Sequence, residues 1–338
     1  MHTPRTARTR RRLRRLTGAA AALLGVAAVT AGTTGTAGAA AAATRYTWTP
    51  QATVGGLTSH APAVGNCGSD NFLVWKGMGS DTRIFFATRD ERGVWSPEHQ
   101  VEGGALTSEA PALACANNVV YLAYKGVGAD TTLYWTRTTD HGFTWTPQAA
   151  VSGTARTDAR PALAFTFEPD RINSPVLVWK DAGSTRLSYS YLWGGVWQTP
   201  EPVPGDVSTS TGPSATWGSV VWRGAGTDTS MYEARFGQPG KVTWGPVTFW
   251  GGDGRSSHAP GVDRYGDRGV WRGRADDSRV YYSVRDTNGN WQPQAFVDAG
   301  LTSTTPAVTT VDRFKALVVW KGVGDDPRMF FSVGTATS

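Results

Sequence analysis

Apolar and polar positions fall in short runs along this chain, and the runs come in fours. One copy reads Pro111-Ala-Leu-Ala, then Val-Val-Tyr-Leu-Ala-Tyr124-Lys-Gly, then Thr-Leu-Tyr-Trp-Thr-Arg, then Phe143-Thr-Trp145-Thr-Pro. Gly, Asn and Asp separate the runs, which predicts short strands joined by turns. The second run is apolar on both faces, as in Phe72-Leu73-Val74-Trp75. A strand sandwiched between neighbouring sheets needs that pattern. The first run is rich in small residues, as in Pro62-Ala-Val and Pro306-Ala-Val, which suits a crowded axis. No helical periodicity follows residue 45.

Six copies are present. Their prolines are Pro62, Pro111, Pro161, Pro213, Pro260 and Pro306. Their middle aromatics are Trp75, Tyr124, Trp179, Trp222, Trp271 and Trp320, spaced 49, 55, 43, 49 and 49 residues apart. Four strands per unit at a period near 50 predict an all-β fold, a six-bladed β-propeller. A Trp-x-Pro element ends the units, at Trp95, Trp145, Trp244 and Trp291, with a looser copy at Trp197. One more stands at Trp48 with no unit before it, while the last unit stops at Phe330-Phe331-Ser332 without one. Arg45–Val54 is therefore expected to supply the outer strand of the last blade, closing the ring and covering a sheet edge.

Residues 1–43 read as a signal peptide. Seven arginines precede the apolar run from Leu16 to Val29, followed by a small-residue tail. The formal charge of +6 falls to −1 once those seven are set aside, so no basic stripe argues for nucleic acid. The expectation is a secreted, monomeric domain over 44–338 with no membrane insertion. Cys67 and Cys115 stand at nearly equivalent places in units one and two. A disulfide between adjacent blades is expected in an exported chain, with two buried thiols as the alternative.

Thr138-Thr139-Asp140-His141-Gly142-Phe143-Thr144-Trp145 matches the Asp-box pattern Ser/Thr-x-Asp-x-Gly-x-Thr-Trp, with weaker copies around Asp90 and Asp286. The chain thus resembles the sialidase-like, Asp-box (BNR) repeat family of secreted propellers. The physical task of Thr138, Asp140, Gly142, Thr144 and Trp145 is local: the carboxylate caps a hairpin turn and the indole packs on the blade. Sialidase activity would also require an arginine triad, a Tyr–Glu nucleophile pair and an acidic Asp, and no such set can be assigned.

A second constellation repeats more faithfully. Six residues after the middle aromatic stand Asp81, Asp130, Asp228, Asp277 and Asp326, with Thr185 in unit three. Directly after the aromatic stand Lys76, Lys125, Lys180, Arg223, Arg272 and Lys321. Arg83, Arg186, Arg279 and Arg328 follow shortly after the acidic slot. These groups are expected on one face, beside the Ser-x-x-Pro loops that join the blades. Arg–Asp pairs offer donors and acceptors to hydroxyls, and aromatics offer stacking, so extracellular glycans are the expected partners. Turn capping is the competing role for each Asp. An enzyme needs a unique site, and departures from the repeat offer Glu109, Asp158 and Arg160, two carboxylates near a guanidinium. A lectin-like ring is the first reading, an exo-glycosidase the second, a protein-interaction ring the third. No cofactor is implied, no metal-ligand spacing occurs, and no residue argues for calcium in the channel.

Overall fold

The structure, a computed structural model, describes residues 45–166, 174–237 and 243–337. The expected signal peptide lies outside the described residues. The fold is all-β: six antiparallel sheets form the blades of a propeller, as the repeat predicts. Blade one, for instance, runs Ala63–Cys67, Asp70–Lys76, Ile84–Arg89 and His99–Gln100. The second strand of each blade is almost wholly buried. Its middle aromatic (Trp75, Tyr124, Trp179, Trp222, Trp271 or Trp320) is at most 1% exposed. Burying each ring contributes about 3 kcal/mol.

The core is not one mass but six clusters, each between two neighbouring blades. The sandwiched pattern of the second strand follows from this, because each face meets a different blade. First strands surround the axis and leave a narrow space of about 70 Å3 lined by Pro62, Pro111, Pro161, Gly261 and Pro306. Crowding there is tight. A Cβ on Gly261 would come within 2.2 Å of the Pro306 carbonyl oxygen.

The ring closes with the segment expected to close it. Arg45–Trp48 pairs with Gly334–Thr337, and Ala52–Leu57 pairs with Arg328–Phe331 through an irregular register. Trp48 packs over Gly334, where any Cβ would lie 2.7 Å from the indole. A Cys67–Cys115 disulfide, with Cα atoms 5.2 Å apart, ties the inner strands of blades one and two.

Candidate functional site

Two kinds of loop share one face of the ring: those between the second and third strands, and those joining one blade to the next. Each joining loop starts with a buried Thr or Ser that the sequence reading passed over. Thr58 Oγ1 accepts the amide of His60 at 3.1 Å, and Thr107, Thr157, Thr209, Ser256 and Thr302 do the same for their own loops. These hydroxyls are fully buried, so the turn is fixed from within.

The repeated cation is built into this framework. Lys76 Nζ donates to Ser59 Oγ, Gly77 O and Gly79 O at 3.2, 3.1 and 2.8 Å. Lys125 and Lys321 make the same three bonds to their own loops. Arg223 and Arg272 reach the carbonyls of Gly224 and Gly226, and of Gly273 and Ala275. Lys76, Lys125, Arg223 and Lys321 are between 2% and 8% exposed. An ammonium with all three donors engaged has none left for a ligand. Lys76, Lys125 and Lys321, expected on the ligand side, are therefore internal pins of the loop, and Arg223 and Arg272 hold the corresponding loop carbonyls. Burial outweighs the adjacent acids and lowers the pKa of Lys76 and Lys321.

The acidic slot lies further out. Each carboxylate closes a turn by accepting the amide two residues on, from Asp81 to Arg83 at 3.0 Å and from Asp326 to Arg328 at 3.1 Å. It also packs on the glycine after the pin: a Cβ on Gly77 would meet Asp81 Cγ at 2.6 Å. Turn capping is thus a real role of these acids. They carry a second one. Arg83 clasps Asp81 through Nε and Nη2 at 2.9 and 2.7 Å, Arg279 clasps Asp277 at 2.8 and 2.8 Å, and Arg328 clasps Asp326 at 2.9 and 2.8 Å. The three guanidinium groups lie over Phe85, Tyr281 and Phe330 at 5.0, 5.4 and 5.1 Å. They remain more than half exposed, and their Nη1 atoms have no partner among the described residues. The Arg328 clasp holds the Asp326 carboxyl down at about 2.

Blades two and four lack an arginine at that place, and the structure shows the replacement. The strand start that holds Arg83, Arg279 and Arg328 bridges to Leu106, Leu301 and Leu57 on the blade's outer segment. In blades two and four the start is Thr132 or Ser230, and its bridge partners are Arg156 and Arg255. Asp130 and Asp228 meanwhile accept the hydroxyls of Tyr134 and Tyr232 at 3.0 and 2.7 Å. Arg156 helps hold the Asp130 carboxyl low, after the larger contributions of the Thr132 amide and hydroxyl. In blade three Thr185 is not the acid's substitute. Asp181 takes the role, accepting Arg186 Nε at 2.8 Å and Ser188 Oγ at 3.0 Å. Arg156, Asp181 and Arg186 line one hollow of about 400 Å3 there. Every blade thus presents one Asp and one Arg at its rim.

The departures collected for catalysis make separate contacts, although Asp158 lies near enough to Glu109 to add to the rise that burial gives its pKa. Asp158 fills the serine slot of blade three, 2.5 Å from Lys180 Nζ, and accepts the Gly183 amide. Arg160 bonds to Pro213 O and Ser214 Oγ of the neighbouring blade four. Glu109 faces His60 at 3.9 Å, and burial raises its carboxyl pKa while Lys125 opposes. Among the described residues no hydrogen bond or ion pair joins these three. The hairpin at Thr138–Trp145 is capped as its sequence suggests: Asp140 accepts the Thr144 amide at 2.9 Å and the Thr138 hydroxyl at 2.6 Å. Trp145 packs edge-on against Phe72 and Phe86 of blade one. That hairpin lies on the opposite face and reads as scaffold. Among the described residues no group of His, Cys, Asp and Glu is arranged to hold a metal ion, and no helix is long and apolar enough to cross a membrane.

No protein-family model matches the chain, and no curated protein resembles it in sequence. Solved structures resemble it in fold. A protein of unknown function from Dyadobacter fermentans is 14% identical, with 88% of this chain and all of that one covered, at a TM-score of 0.55. The Hadza microbial sialidase Hz136 is 12% identical at a TM-score of 0.59, and this chain spans 82% of itself but 65% of the sialidase. A mutant of the Aleuria aurantia lectin, in complex with alpha-methyl-L-fucoside, is 13% identical, with 84% and 96% covered, at a TM-score of 0.52. What this chain shares with all three is the propeller fold.

Proposed function

We propose that this protein is an exported carbohydrate-binding propeller that holds extracellular glycans through weak sites repeated around one face. The observation that carries the reading is the sixfold Asp–Arg rim. At three positions a guanidinium fixed by a carboxylate and an aromatic ring keeps one nitrogen free. Vicinal hydroxyls suit that pairing of donor and acceptor, and repetition turns weak sites into avidity. The disulfide suits an oxidising compartment. A lectin and a sialidase among the fold neighbours make a sugar-related role a natural first test. The exo-glycosidase reading has less to carry it, because Arg160 is held by Pro213 and Ser214 and Asp158 is paired with Lys180.

A glycan array probed with the purified protein, with and without calcium, tests the reading. Binding to one sugar family, insensitive to calcium and unchanged in Glu109→Gln, is expected. No binding to any glycan would sink it.

A further inference from the structure

The opposite face carries a departure that the repeat makes conspicuous. On each third strand, the residue paired with the one before the middle aromatic is Phe86, Trp135, Tyr189, Tyr282 or Phe331. In blade four it is Glu233, paired with Val221 and only 4% exposed. A buried carboxylate in a slot made for an aromatic ring needs compensation. Arg285 of blade five supplies it at 2.5 Å, while lying over the Trp291 ring at 4.6 Å. Its counterpart Arg89 instead lies 5.9 Å from the Phe331 ring, with no carboxylate paired to it among the described residues. The ring between blades six and one therefore shows what this interface looks like without the acid.

Exchange of a large ring for a smaller side chain leaves room. Between blades four and five there is a cavity of about 420 Å3, lined by Trp217, Phe236, Tyr265, Glu233, Arg235 and Asp267 among others. That volume falls in the range of small-ligand sites. Apolar lining comes from three aromatics. Arg264 braces two of them, lying 5.1 Å from the Trp217 ring and 4.7 Å from the Tyr265 ring. The charged groups balance, since Arg235 and Arg285 face Glu233 and Asp267. Arg235 is 70% exposed and stands 3.9 Å from Glu233. A net anion or cation gains little from a balanced set. Hydroxyls gain from both halves, donating to carboxylates and accepting from guanidinium groups.

We infer that the cavity between blades four and five is a single binding site for a neutral, hydroxyl-rich ring, a pyranoside unit, separate from the rim sites on the other face. Trp217 and Tyr265 supply stacking surfaces for the sugar's C–H face, and Glu233 and Arg235 fix its hydroxyls. The site owes nothing to the repeat and does not depend on the rim being functional.

Titration with a panel of neutral methyl pyranosides, followed by tryptophan fluorescence and equilibrium dialysis, tests this. The proteins compared are the wild type, an Arg83/Arg279/Arg328→Ala rim variant, Glu233→Phe and Arg235→Ala. Glu233→Phe rebuilds the Phe331–Arg89 arrangement and should fold, which thermal melting checks. Arg235→Ala alters only an exposed side chain. One-site binding is expected in the rim variant, and the same cavity site beside any rim binding in the wild type, with the cavity site weakened about tenfold or more in Glu233→Phe and Arg235→Ala. The inference is overturned if no pyranoside binds the rim variant, or if binding is unchanged in both cavity variants. Glycan binding retained in the rim variant with the cavity titration intact would count against the rim alone.

Discussion

The inner and outer halves of one loop teach different lessons about repetition. Lys76 and Asp81 are five residues apart, and both recur around the ring. The inner half is buried, and its cation is locked to three loop oxygens. The outer half is exposed, and its arginine keeps a nitrogen free. Repetition of the first follows from folding, because six joining loops need the same pin. The Asp of the second caps its turn, but folding alone does not require repetition of its arginine, since an exposed ion pair adds at most about 1 kcal/mol.

The largest expected effect is on the inner half. Lys76→Met leaves the Ser59 hydroxyl and two loop carbonyls short of a donor, at a cost of about 3 kcal/mol. Denaturant melts should show this, with glycan binding lost only as the protein unfolds. If Lys76→Met melts like the wild type, the pin is not what orders the loop. Next comes the outer half. The triple variant Arg83/Arg279/Arg328→Ala should keep its melting point within the change that about 1 kcal/mol per site allows. Its avidity for a surface-bound glycan should fall about a hundredfold. A comparable loss in both measurements would merge the two halves into one scaffold.

A third prediction concerns pH and joins the halves. Burial, with Lys76 and Lys321 adding to it, lowers His60 to about 4. Burial with Arg272 and Arg223 does the same for His258. Both side chains stay neutral in the folded ring between about pH 6.5 and 4, while the unfolded chain takes up protons there. Stability should therefore decline as pH falls through that window, and His60→Gln with His258→Gln should flatten the decline. An unchanged slope would mean that His60 and His258 are not held neutral in the folded ring. The smallest effect is expected from a swap. Arg83→Thr with Leu106→Arg transplants the blade-two arrangement into blade one and should leave avidity nearly unchanged. Surface plasmon resonance would show it, and a loss equal to Arg83→Ala would contradict a rim conserved in space.

Much of this was legible in the sequence. The period and the two-sided apolar run of Phe72–Trp75 gave the propeller, and the unmatched Trp48 gave its closure. The cysteines stand at matching places in the repeat and do meet. What the sequence concealed has physical causes. A lysine in a glycine-rich loop reads as solvated, and only the fold shows carbonyls converging on it. Arg156 and Arg255 belong to other runs, so their return to the rim is visible only in cross-strand register. Asp181 is visible as an acid where the other units have glycine, but its taking over the acidic slot shows only in its bonds to Arg186 and Ser188. Glu233 could have been found: lining up the third strands sets one acid among five aromatics. Its partner Arg285, from the next blade, could not.

Stepwise removal of the rim arginines tests the central claim most directly. Avidity for the array-selected glycan on a dense surface would be measured as Arg83, Arg156, Arg186, Arg255, Arg279 and Arg328 are replaced by Ala one after another. A repeated binding face predicts a graded fall with each replacement and little change in melting temperature. Avidity that stays level until one particular arginine is lost, or that survives the loss of all six, would contradict it.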